Sequence, residues 1–261
     1  MKTIINWKVF FILWFAAILS TIALLPYVLE LQSRLLAQLD VPIPLPALIV
    51  LQTMQSGLLF AILIFIGLIL MKRIGLSTPL LESVTKGESP SDILRAVLPI
   101  SIALGVFAAL VIIGLDLFFQ PLILNQLGSQ ASALTPAAQP AAWKGFLASF
   151  YGGIAEEILL RLFVMSLLAW LGSFISKTSE GRPTTIIFWV ANLLAAILFG
   201  LGHLPSLSLI LPLTTLVVIR TVLLNAIGGI IFGWLYQTRG LESAMIAHFS
   251  ADIVLHVIFA I

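Results

Sequence analysis

The chain has 261 residues, 61% of them apolar and 9% charged, with a mean hydropathy of +1.17 and a formal net charge of +2. Soluble domains carry about a quarter charged residues, so this composition excludes an ordinary soluble enzyme and indicates a polytopic membrane protein. The absence of cysteine excludes disulfides, thiolate nucleophiles and cysteine-bound metals together, and no basic block or base-stacking pattern points to nucleic acid as a partner.

Seven apolar stretches follow in chain order, at about 9–29, 46–71, 96–119, 146–172, 184–204, 214–237 and 241–261. Most hold about 20 residues, which at 1.5 Å per residue spans a hydrocarbon core about 30 Å thick. The expected fold is all-α: a single integral membrane domain over residues 1–261, built as a bundle of about seven transmembrane helices. The first stretch follows Lys2 and Lys8 and is longer than the apolar run of a signal peptide, with no clear small-x-small cleavage site after it. It reads as an uncleaved signal anchor. Polar interruptions fall at 30–45, 72–95, 120–142 and 175–183. The third of these has no charge and is rich in alanine, proline, serine and glutamine, so it is expected either to cover the mouth of a site or to lack order.

Orientation follows from the basic residues. With the N-terminus in the cytoplasm, Lys2, Lys8, Lys72, Arg73, Lys86, Arg95, Lys177, Arg182 and Arg239 lie inside, and only Arg34 and Lys144 lie outside. The plasma membrane is the expected location. Trp7, Trp143, Trp189, Trp234 and Tyr236 stand near segment ends and read as interfacial anchors.

Ionisable groups inside the segments carry the chemistry, because a charge at the bilayer centre costs about 2.5–3.5 kcal/mol even on lenient scales. In the fourth segment Glu157 and Arg161 are four apart and share a helix face, whereas Glu156 points about 100° away. Arg161 therefore neutralises Glu157, and Glu156 is left as the candidate general base. The alternative is that all three only tie helices together. The fifth segment ends in Phe199-Gly200-Leu201-Gly202-His203. Because consecutive segments run in opposite directions, the early part of the fourth and the late part of the fifth share one side of the membrane, so Glu156 and His203 can meet around a water. Gly200 and Gly202 permit close backbone approach.

In the seventh segment His248 and Asp252 share a face. Either they satisfy each other, or they stabilise an oxyanion formed when water attacks a carbonyl. Asp252 donates only if protonated; otherwise it orients His248. Asp116 is expected at the interface and Arg220 as a snorkelling side chain, with Asn192, Asn225 and His256 bonding between helices. Asn225, with Gly228-Gly229, is the candidate among them for facing a cavity.

Taken together, Glu156-Glu157-x-x-x-Arg161, Phe199-x-x-x-His203 and His248-x-x-x-Asp252, in that order on separate helices, resemble the motifs of the CPBP (Abi) intramembrane proteases, which include the type 2 CAAX prenyl endopeptidases. The likeness covers about residues 146–256. It implies a multi-helix endopeptidase in which Glu156 and His203 activate the attacking water, Glu157 and Arg161 support them, and His248 and Asp252 match the oxyanion motif. Some members carry asparagine where Asp252 stands.

No His-Glu-x-x-His helix is present, so the expected chemistry needs no cofactor; zinc held by glutamate and histidines is the alternative. The expected substrate is a peptide or membrane-associated protein. A prenylated CAAX tail would arrive from the cytosol, whereas the basic-residue count puts the mouth on the other side. Competing readings are a non-catalytic scaffold or immunity protein and a proton-coupled transporter.

Overall fold

The computed structural model describes residues 5–32, 44–128 and 140–259, and every long element in it is a helix. Helix α1 (Trp7–Leu31) starts where the Asn6 side chain accepts from the amides of Lys8 and Val9. Helix α2 (Leu45–Arg73) has proline in its first turn and Lys72 and Arg73 in its last, where cations oppose the carbonyl end of the dipole. A short amphipathic helix, α3 (Pro79–Lys86), occupies the interruption at 72–95 and stops at Gly87 in the left-handed region, φ 78°. Helix α4 (Ser91–Leu127) extends past both ends of the predicted 96–119, so residues 120–127 of the supposed loop are helical; residues 129–139 lie outside the described part.

The predicted fourth segment, 146–172, is one helical run with mixed winding. It comprises α5 (Ala142–Phe150), π-helical turns at Tyr151–Glu156 and Ile158–Met165, and α6 (Ser166–Gly172). Helices α7 (Thr185–Ser208), α8 (Thr215–Arg239) and α9 (Leu241–Asp252) follow, and α9 continues as a π turn over Ile253–Ile258. Among the described residues six helices are long and apolar enough to cross a membrane. With the composite run they account for all seven predicted segments.

The bundle is apolar outside as well as inside. Leu19, Leu58, Met54 and Ile186 are each about two-thirds or more exposed, a surface suited to lipid and costly in water. Inside, α8 packs along α7, α9 lies against α4, and the composite run is flanked by α1, α2 and α9. Asn6 and Lys8 bond to Thr85, fixing the start of α1 to α3, while Lys144 pairs with Glu30 at 2.8 Å at the opposite end of α1.

Polar groups within the spans close on neighbouring helices. Asn192 on α7 donates to the Ile230 carbonyl on α8 at 2.9 Å, and Gly233 leaves the room for it, since a Cβ there would collide with the Asn192 carboxamide. Gly233→Ala is accordingly expected to cost about 1–3 kcal/mol by overpacking, read as a lowered melting temperature in detergent. Tyr236 is not the interfacial anchor its position suggested. It is fully buried, its hydroxyl 2.8 Å from that of Ser166 at the start of α6.

Candidate active site

Three elements supply the ionisable groups that sequence spacing selected: the composite run, α7 and α9. Glu157 and Arg161 pair at 3.0 Å and are 0% and 1% exposed, so the ion pair is wholly withdrawn from both lipid and water. Arg161 also donates to the Gly229 carbonyl at 2.9 Å and lies between the rings of Phe199 and Phe232, 5.5 and 5.6 Å from their centroids. Charge-assisted bonds and cation–π contacts offset the desolvation of such a guanidinium.

Spacing alone did not reveal the next link. His248 Nδ1 lies 2.8 Å from Glu157 Oε1, so one carboxylate oxygen takes both the guanidinium and the imidazole. A carboxylate accepts, and Nδ1 therefore carries the proton. The ring is further fixed by stacking on Phe232, centroids 4.7 Å apart and planes 23° apart. Its other nitrogen, Nε2, is 3.7 Å from Glu156 Oε2 and 3.7 Å from Asp252 Oδ1. These are ionic contacts, too long for hydrogen bonds. The reading in which His248 and Asp252 simply satisfy each other is thus replaced by one in which His248 bonds to Glu157 and presents Nε2 to two further carboxylates.

His203, on the last turns of α7, has Nδ1 2.9 Å from the Phe199 carbonyl. A carbonyl can only accept, so Nδ1 is the protonated nitrogen and Nε2 is left for an external partner. Gly200 sits where α7 meets α8; a Cβ there would press on the Val222 backbone. Nothing lies within 4 Å of a Cβ at Gly202, which has no such packing role.

Glu156, His203, His248 and Asp252 all line one cavity of about 290 Å³. Tyr151 and Gly152 line it too. In the π turn Tyr151 stands one wide turn before Glu156, and π turns recur at functional positions. Gly152 admits the α9 side chains: a Cβ there would overlap Asp252 Oδ2 and approach His248 Nε2 to 3.1 Å.

Asp116 and Arg220, read separately as interfacial and snorkelling charges, pair with each other on the cavity wall, through Arg220 Nη2 at 2.5 Å and Nε at 2.6 Å. They lie 104 residues apart in the chain, which is why neither was read as the other's partner. Asn225 and Gly228 also line the cavity, whereas Gly229 faces Arg161.

Among the described residues no three His, Cys, Asp or Glu side chains gather closely enough to form a zinc ligand set.

Most of this polar pocket within an apolar helical bundle lies in a part of the chain that matches a known family. Residues 138–254 match the family model described as Rce1-like, type II CAAX prenyl endopeptidase Rce1-like. This segment is Rce1-like. It contains the composite run, α7, α8 and all of α9, hence every residue of the pocket except those from α1, α4 and the last π turn. The Rce1-like match is to a family described as endopeptidases and agrees with the resemblance read from the three motifs. No curated protein and no solved structure matches the chain.

Proposed function

We propose that the protein is an intramembrane endopeptidase that hydrolyses a peptide bond with a water activated by Glu156 and His203. The observation that carries this reading is the convergence of Glu156, His203, His248 and Asp252, from three separate helical elements, on one cavity inside a segment matching a protease family.

The chemistry follows from which nitrogen and oxygen atoms are free. Among the described residues Glu156 has no hydrogen bond to an arginine or backbone amide that would hold it as a fixed anion, and Glu156 lines the cavity. His203, with Nδ1–H given to Phe199, offers the Nε2 lone pair. A water between them gives one hydrogen bond to each. Its oxygen attacks the substrate carbonyl carbon as its proton passes to Glu156, and Glu156 then delivers that proton to the leaving amine nitrogen as the C–N bond breaks. The carbonyl oxygen becomes an oxyanion for which His248 Nε2–H is the donor. Nδ1–H of the same ring, anchored on Glu157, fixes its direction. Asp252 holds the Nε2 side of the ring electrostatically. The groups assigned to this step are water and this chain's own side chains.

The substrate class is a peptide or a membrane-associated protein. With the basic residues in the cytoplasm, the cavity opens toward the other side, which favours these over a prenylated tail delivered from the cytosol.

The test uses the purified full chain in detergent with a panel of unmodified and prenylated fluorogenic peptides in ¹⁸O-enriched water. The expected result is one ¹⁸O atom in the new C-terminal carboxylate and a rate lowered about 100-fold or more in His203→Ala. Cleavage by His203→Ala at the wild-type rate would overturn the assignment.

A further inference from the structure

Arg220 is the one lysine or arginine among the residues lining the cavity, since Arg161 is enclosed behind Phe199 and Phe232. It stands close to the proposed chemistry. Helices α7 and α8 run antiparallel and cross where Gly200 meets Val222. His203 lies three residues beyond the crossing on α7 and Arg220 two residues before it on α8, rises of about 4.5 and 3 Å at 1.5 Å per residue. Both therefore sit on the same side of the crossing, at nearly the same level.

The bond between Arg220 and Asp116 is one-sided. Nε and Nη2 converge on the single oxygen Oδ1, and among the described residues no hydrogen bond or ion pair engages Nη1 or Asp116 Oδ2. A guanidinium serving only to join α4 to α8 gains most from a two-oxygen fork, and Thr214 to Gln126 at 2.9 Å already joins those helices. Both side chains also keep partial exposure, 29% and 19%. The pair thus presents an uncommitted N–H edge to the cavity on a guanidinium held in place from behind.

We propose that Arg220, positioned by Asp116, is a carboxylate-recognition subsite that selects substrates bearing a carboxylate near the scissile bond, either the chain terminus or an acidic side chain. This rests on the peptidase reading and adds a specificity-determining residue to it. A cavity of about 290 Å³ lies at the small end of ligand pockets. It suits a short carboxylate-bearing piece of a peptide.

Binding is measured by calorimetry on full-length Glu156→Gln protein, in which hydrolysis is blocked. The probes are acetyl-leucyl-alanyl-leucine, its C-terminal amide, and acetyl-leucyl-glutamyl-leucinamide. The expected result is about tenfold or greater preference for a carboxylate probe over the neutral amide. That preference falls to about 1 in Arg220→Gln and to an intermediate value in Arg220→Lys, which keeps the charge and loses the fork. The double variant D116N/R220Q strands no charge and loses the preference equally, which separates recognition from misfolding. Preference for the free acid alone identifies the chain terminus; equal preference for the glutamyl probe identifies a side chain. Acid and amide bound alike by the parent protein, no binding of any probe, or preference that survives D116N/R220Q would each overturn the subsite. A carboxylate preference with no cleavage of peptides by wild type would instead count against the peptidase reading and leave the subsite standing.

Discussion

Arg161→Met is expected to lower the stability of the folded protein by about 3–5 kcal/mol, the cost typical of removing one partner of a buried ion pair. Glu157 and Arg161 are almost completely unexposed, so a carboxylate deprived of its guanidinium finds neither water nor a lipid headgroup. The Gly229 carbonyl on α8 loses its donor at the same time, and the Phe199 and Phe232 rings lose the cation between them. Removing both charges is different, because replacing a buried pair with uncharged groups of similar volume is often neutral. The double variant E157Q/R161M is therefore expected to recover most of the stability lost in Arg161→Met. Melting in detergent, with size-exclusion chromatography as a check on folding, distinguishes the two. If Arg161→Met melts within 2 °C of wild type, the pair is not what holds the composite run, α8 and α9 together.

The segments and the Glu157–Arg161 pair were legible because they are local: a run of apolar residues and a four-residue spacing are properties of a single helix. The four-residue spacing of His248 and Asp252 was equally local and does bring them within 3.7 Å, but His248 donates its hydrogen bond to Glu157, 91 residues earlier, which spacing could not show. Asp116 and Arg220 show the same limit. Each looked like an interfacial charge because its partner is on another helix, and helix neighbours are decided by packing rather than by order. Gly152 looked like any membrane glycine until α9 placed Asp252 and His248 against it. The π winding around Glu156 leaves no periodic mark in so apolar a sequence. The motif order gave the family resemblance and the expectation that the groups meet at one end of the bundle; which atom faces which required the fold.

Glu156→Gln is expected to leave the fold intact and to reduce peptide hydrolysis by about 100- to 10,000-fold. The adjacent residue makes the contrast informative. Glu157 is wholly enclosed and bonded to Arg161 and His248, whereas the Glu156 side chain keeps 22% exposure on the cavity wall and its nearest cation, His248 Nε2, is 3.7 Å away. Glutamine preserves the volume of Glu156 and breaks no hydrogen bond to the protein. Its stability should therefore change by only about 1 kcal/mol, since the one contact weakened is the 3.7 Å ionic approach to His248. What it loses is the basic oxygen: an amide cannot take the proton of the attacking water or carry it to the departing amine. Parallel melting and cleavage assays on Glu156→Gln and Glu157→Gln should thus separate, the first inactive with a melting temperature close to wild type and the second visibly destabilised. Hydrolysis by Glu156→Gln at the wild-type rate would remove Glu156 from the reaction and leave the convergence of acids and imidazoles in this cavity without the role assigned to it.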